Sequence, residues 1–166
     1  MALKQSPTRS KSLTDAPMKQ ILFKASLAAI LITCGALSAG AETFEVKMLN
    51  GNATGGMVFE PDYLRITPGD RVKFVATQRG HNAASIADFY PESAEPFKGK
   101  INEEIEVVFT EGGFYGIKCT PHYDMGMVML IQVGEHPIAT LTLPDKLPKS
   151  AHARFKDIAE RSQNQK

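Results

Sequence analysis

The sequence predicts an all-β sandwich or barrel with a helix at its C-terminal end. Three observations lead there. Between 42 and 135, short stretches alternate apolar and polar residues with the period of two that a half-buried strand requires. Glycine, proline and aspartate separate these stretches, as turns between strands require. After Val133 the prolines Pro137, Pro144 and Pro148 break the chain, and apolar residues then recur at helical spacing.

Ahead of the strands, Lys19 and Lys24 precede an apolar run over 25–37 that is too short to span a bilayer well. Ala39-Gly40-Ala41 follows as an A-x-A cleavage pattern, so 1–41 reads as a secretory signal peptide cut after Ala41. Residues 1–17 are long and polar for the front of such a signal, and Met18 is an alternative start. Leu31-Ile32-Thr33-Cys34 loosely resembles a lipobox, which threonine before the cysteine fits poorly. Removal of 1–41 leaves 14 basic against 17 acidic residues, a charge of about −3, which argues against a nucleic-acid binder. It also leaves Cys119 as the lone thiol. Such a thiol is intermolecular, reactive or ligated.

The strands follow in order. In 43–49, Phe44, Val46 and Met48 face one way and Glu45 and Lys47 the other. YLRIT (63–67) and RVKFVA (71–76) also alternate, and Pro68-Gly69-Asp70 between them predicts a hairpin. IEVVF (105–109) leads through Glu111-Gly112-Gly113 into FYGIKC (114–119), which puts Tyr115, Ile117 and Cys119 on one face. MVMLIQV (127–133) is apolar on both faces and predicts a strand covered on both sides. Two stretches, 77–101 and 119–126, read as long irregular loops, where a sandwich usually carries its function. In the 136–166 extension, Ala151, Phe155, Ile158 and Ala159 line one helical face. Lys149, Arg154, Lys156, Asp157, Glu160 and Arg161 line the other. The helix is expected to lie on the sandwich.

CTPHYDMGM, 119–127, places a thiolate, an imidazole and two thioethers within one loop. Soft sulfur ligands with imidazole select copper over magnesium or calcium, and cysteine with histidine alone also suits zinc. Pro121 fixes its own φ and restricts Thr120, which stiffens the loop. A trigonal metal needs one more strong ligand. His136 stands in a proline turn and His152 on the polar helix face, and both read as surface residues. His81 follows the strand 71–76 in the long loop, and two strands of a sandwich can bring it beside Cys119. His81, Cys119 and His122 with a weak axial methionine form the set found in electron-transfer copper sites. The axial candidates are Met125 and Met127. Met129 reads as core, and Met48 and Met57 as core or surface.

The order His81, then Cys119-x2-His122-x4-Met127, resembles the cupredoxins, and among them the pseudoazurins. The resemblance covers nearly all of 42–135. It is carried by ETFEVKMLN (42–50), MVFEP (57–61), the PGD turn, GHN (80–82), KINE (100–103), and YGIKCTPHY and MGM within 115–127. The C-terminal part fits more loosely. The resemblance implies a cupredoxin-like Greek-key β-sandwich holding one type 1 copper ion that alternates between Cu(I) and Cu(II). It implies the ligands His81, Cys119, His122 and Met127, whereas Met125 stands at the spacing of the shorter amicyanin loop. It implies that the Asn82 backbone N–H reaches the Cys119 sulfur and that Asn82 and Thr120 tie the two loops. Met57, Pro121 and Met125 are expected to form an apolar docking patch around an exposed edge of His122. Arg79, Lys98, Lys100 and Lys118 match positions where the family carries basic residues that steer an acidic partner.

The function so implied is that of a monomeric, soluble periplasmic electron carrier, not an enzyme, with no membrane attachment after signal cleavage. Its expected acceptors are copper or haem nitrite reductase, nitrous oxide reductase and c-type cytochromes. Two departures bear on docking. Asp124 stands where the family commonly has a small apolar residue, and Gly51 where lysine is frequent. Three alternatives are a copper-delivery protein without an electron-transfer role, an enzyme with Cys119 as nucleophile beside a histidine base, and a structural zinc protein. Delivery favours several exposed methionines in a flexible arrangement, unlike the single spaced set here. The enzyme leaves Met127 and the second histidine unexplained.

Overall fold

The structure, a computed structural model, describes residues 40–163. The signal-peptide reading of 1–41, with Met18 and Cys34, falls outside the described residues except at Gly40 and Ala41. No helix among the described residues is long and apolar enough to cross a membrane.

Two four-stranded sheets face each other. One runs β2 (Gly55–Glu60), β1 (Thr43–Asn52), β4 (Arg71–Val75), β6 (Ile105–Val108). The other runs β3 (Tyr63–Ile66), β8 (Val128–Val133), β7 (Gly113–Lys118), β5 (Ala84–Ser85). From β2 to β7 the chain changes sheet at every connection. Only β1–β2 and β7–β8 are joined within a sheet, each antiparallel. Val46, Met48, Phe59, Val72, Phe74, Phe109, Ile117 and Met129 fill the space between the sheets.

The predicted hairpin at Pro68-Gly69-Asp70 is not formed. β3 pairs in parallel with β8, while β4 pairs with β1 and β6 in the opposite sheet. The turn is a corner between sheets. The Asp70 carboxylate holds that corner, accepting from the Thr67 N–H (2.7 Å), the Thr67 hydroxyl (2.8 Å) and the Glu42 N–H (2.8 Å). A hairpin and a corner use the same turn residues, and alternation along each strand is the same in both. Two strands escaped the sequence reading. Gly-Gly-Met-Val-Phe-Glu in β2 lacks alternation, and β5 is a two-residue strand inside the long loop.

β8 is buried at every position, as its apolar faces predict. Met129, Ile131 and Val133 point between the sheets, and Val128 and Leu130 join a second core on the outer side. Helix α1 (Lys149–Gln163) builds that second core with Ala151, Phe155 and Ile158, all 0% exposed. Phe155 meets Phe89 edge-on at 4.9 Å between ring centroids. Burying a phenylalanine ring is worth about 1.5–3 kcal/mol, so this face holds the extension against the sheet. Near the end of α1, Arg161 clamps Asp62 at 2.8 Å and Asp157 at 3.0 Å. His136 and His152 are exposed, as expected.

Candidate metal centre

Cys119 follows directly on β7, one residue past Lys118, and is 0% exposed. The chain then enters a 3-10 turn, Thr120–Met125, with Pro121 at its start. Gly126 closes the turn in the left-handed region, at φ 88°, where a side chain would be strained. Three backbone bonds fold the turn back on itself. The Cys119 N–H donates to the Met127 carbonyl at 3.0 Å, and the Met127 N–H to the His122 carbonyl at 3.1 Å. The His122 N–H donates to the Cys119 carbonyl at 3.1 Å. Cys119, His122 and Met127 are thereby locked to one another through the main chain.

His81 arrives from the other sheet, after β4, and is 0% exposed. Cys119 Sγ lies 3.6 Å from His81 Nδ1 and 3.4 Å from His122 Nδ1, and the two Nδ1 atoms are 3.2 Å apart. A point about 2 Å from all three atoms lies among them, close to the bond lengths of a transition metal to imidazole nitrogen and thiolate. Three donors converging so closely, two of them buried, fit a metal ion better than they fit one another. His81 Nε2 is engaged with Asn50 Oδ1 at 2.8 Å, which leaves Nδ1 to face the sulfur.

The two methionines separate. Met127 is 0% exposed and Met125 is 58% exposed. Met48 and Met129 belong to the core, and Met57 is half-buried at a left-handed φ of 51°.

Asn82 joins the loops as the resemblance implies. Its Nδ2 donates to the Gly99 carbonyl at 2.8 Å and to Thr120 Oγ1 at 3.1 Å, and its Oδ1 accepts from the Thr120 N–H at 2.7 Å. Burial pushes the Cys119 thiol above its ordinary pKa, and the nearby backbone N–H groups of Asn82 and His122 work in the opposite direction. Burial, with the neighbouring His122, pushes His81 below the ordinary histidine range. Burial thus favours the uncharged form of each group, an unprotonated imidazole at His81 and a protonated thiol at Cys119, so a metal ion bound here would displace the thiol proton.

Around this centre, Pro121 and Met125 are exposed and His122 is half-buried. Arg79, Lys98 and Lys100 are exposed and form no ion pair among the described residues. Lys118, also among the expected basic positions, is placed differently. It is half-buried, and its ammonium lies 4.7 Å from the centre of the Tyr123 ring, a cation–π contact.

Residues 46–134 match the family described as copper binding proteins, plastocyanin/azurin family. The chain is 47% identical over 137 residues to pseudoazurin of Paracoccus pantotrophus, covering 81% of this chain and 94% of that one. It also superposes on a solved Sinorhizobium pseudoazurin with a TM-score of 0.68 at 42% identity, covering 74% of this chain and 97% of that one.

This chain belongs to the pseudoazurin family.

A pseudoazurin from Methylobacterium extorquens AM1 superposes with a TM-score of 0.65 at 36% identity, over 73% of this chain and 99% of that one. The family accounts for the two facing sheets and for the cofactor, one type 1 copper ion. Pseudoazurins are electron carriers that work with redox partners, not enzymes. The three residues that the structure gathers here, His81, Cys119 and His122, are ones the sequence reading singled out. That reading missed two residues that brace the His81 segment: Asn50, whose side chain meets the His81 ring, and Asn102, whose side chain accepts from the Gly80 N–H and whose own N–H donates to the His81 carbonyl. Asn50 lies near the end of β1 and Asn102 sits in a turn, and neither position carries a local signal for a site.

Proposed function

We propose that His81, Cys119, His122 and Met127 bind the copper ion, with Met127 as the weak axial ligand, and that the protein is a periplasmic single-electron shuttle. Its acceptor is a denitrification enzyme, chiefly nitrite reductase. Nitrous oxide reductase and c-type cytochromes are further acceptors of the same kind. It acts as a monomer. One observation carries this reading: a triangle of two imidazole nitrogens and one cysteine sulfur, 3.2–3.6 Å on a side, beside a buried Met127.

When bound, the copper ion supplies a one-electron couple. The residues supply the rest. His81 and Asn82 precede β5, Cys119 follows β7, and the Asn82–Thr120 bonds hold the two segments together, so the donors move little when the charge changes. His122 is half-buried and stands beside exposed Pro121 and Met125, which makes it the natural exit for the electron. Arg79, Lys98 and Lys100 would steer an acidic acceptor, and brief contact suits a shuttle. The periplasmic assignment rests on the signal-like 1–41 segment and the lone thiol of the mature chain.

The test is a visible and EPR spectrum of residues 42–166 loaded with Cu(II), beside Cys119→Ser. The expected result is an intense thiolate-to-copper band with narrow hyperfine splitting, lost in the variant and bleached reversibly by reductant. A pale spectrum that the substitution leaves unchanged would overturn the ligand set. Rapid mixing of the reduced protein with nitrite reductase, over a range of salt, then tests the acceptor.

A further inference from the structure

The copper ligand His81 sits in a stretch with no regular structure of its own, between β4 and β5. Something outside that stretch must hold it. The ring is held at Nε2 by Asn50, and the Asn50 N–H is in turn bonded to the Gln78 side chain. The backbone is held by a different group. The Gly80 N–H donates to Asn102 Oδ1 at 2.6 Å, and the Asn102 N–H donates to the His81 carbonyl at 2.8 Å. Asn102 thus grips both sides of the residue that carries the ligand, from a position 22 residues away from Gly80.

The turn that presents Asn102 is itself braced. Asn102 has a left-handed φ of 65°, a conformation asparagine tolerates better than most residues. The Lys100 N–H donates to the Glu103 carboxylate at 2.6 Å, and the Glu103 N–H donates to the Lys100 carbonyl at 3.1 Å. Farther along, the Gly99 N–H donates to the Ala83 carbonyl at 2.9 Å, and Asn82 donates to the Gly99 carbonyl at 2.8 Å. The 99–102 segment therefore lies along 80–83 as a splint. Asn102 is exposed, so burial does not account for its place.

We propose that Asn102 is a positioning residue for the copper centre, fixing His81 through the backbone of Gly80 and His81. The inference rests on His81 being a copper ligand. Groups that hold a metal-bound histidine from outside typically change affinity or activity about 10–100-fold when removed. A grip on the main chain adds what a bond to the ring cannot. It sets where the ring starts, and so the distance of Nδ1 from the sulfur.

Two variants separate the parts of the grip. Asn102→Asp keeps the side-chain oxygen and tolerates the left-handed backbone. Asn102→Gly keeps the backbone and its N–H bond to His81 but loses the oxygen that holds Gly80. In metal-free protein, amide hydrogen exchange at Gly80 should quicken in Asn102→Gly and stay slow in Asn102→Asp. In chelator competition, Asn102→Gly should bind Cu(II) about tenfold more weakly. Its EPR hyperfine splitting and reduction potential should move, and Asn102→Asp should restore both. A variant that frees the Gly80 amide, or only lowers the melting temperature, while affinity, splitting and potential stay unchanged, would overturn the proposal. If Asn102→Gly does not fold, Glu103→Ala, which releases only the brace of the turn, decides on the same readouts. Failure of the copper reading shows in the unaltered protein; failure of this proposal shows only in the variants, with the unaltered protein still of type 1.

Discussion

Asn82 and Thr120 stand 38 residues apart and grip each other twice, Nδ2 to Oγ1 at 3.1 Å and backbone N–H to Oδ1 at 2.7 Å. One residue follows His81 and the other follows Cys119. The pair therefore sets the separation of two donors that come from different parts of the fold.

Asn82→Ala removes both bonds and orphans the Gly99 carbonyl. Leaving buried partners unpaired costs about 1–3 kcal/mol each. The expected outcome is a lower thermal midpoint together with copper affinity reduced about 10–100-fold. Thr120→Val removes only the hydroxyl and should lie between the two proteins. Calorimetry and chelator competition on the three proteins check this.

Met125 and Met127 should respond oppositely to the same change. Met125→Leu swaps one apolar side chain for another on an exposed surface and should leave the visible and EPR spectra as they were. Met127→Leu removes a buried thioether and should shift band intensities and raise the potential, because the oxidised ion loses a donor. If Met125→Leu shifts the spectrum and Met127→Leu does not, the axial assignment is reversed.

Charge around the exit sets encounter with an acidic acceptor. Lys98→Gln with Lys100→Gln should slow bimolecular electron transfer at low salt and flatten its salt dependence, while the intrinsic spectrum stays constant. Asp124 is exposed and adjoins Met125. Asp124→Gly should speed the same reaction, since it removes a like charge from the contact. Stopped-flow rates at several ionic strengths test both. Equal rates for all variants would place docking elsewhere.

Asp70 links acid stability to the corner between the sheets. Burial alone would raise its pKa, but hydrogen bonds from Glu42 and Thr67 more than offset this, and the net shift is downward. A carboxyl with a depressed folded-state pKa adds stability above its unfolded pKa, about 3.9, and loses it as pH falls through the lower folded value. Metal-free Asp70→Asn should therefore be less stable than the unaltered protein at neutral pH. The gap should close on acidification below about pH 4. Urea midpoints across that range measure it, and a constant gap would show that the ionised form is not what matters.

Much of this protein could be read before any fold was known, for a physical reason in each case. The strand faces of β1, β4 and β7 follow from period-two alternation, and the two-sided burial of β8 from its unbroken apolar run. Cys119, His122 and the two methionines could be found because one loop carries them, and local spacing is what a sequence displays. His81 could be added because its chemistry completes the set.

Tertiary structure decided the rest. Which sheet each strand joins depends on pairing across the fold, so the Pro68-Gly69-Asp70 turn looked like a hairpin and is a corner. Burial, a property of the packed chain, separates Met127 from Met125. The holds on His81 come from Asn50 and Asn102, each more than 20 residues distant, and nothing in their neighbours along the chain marks them. Donor chemistry is local and was written in the sequence. The placement of those donors is collective, and only the packing of two sheets and a helix supplies it.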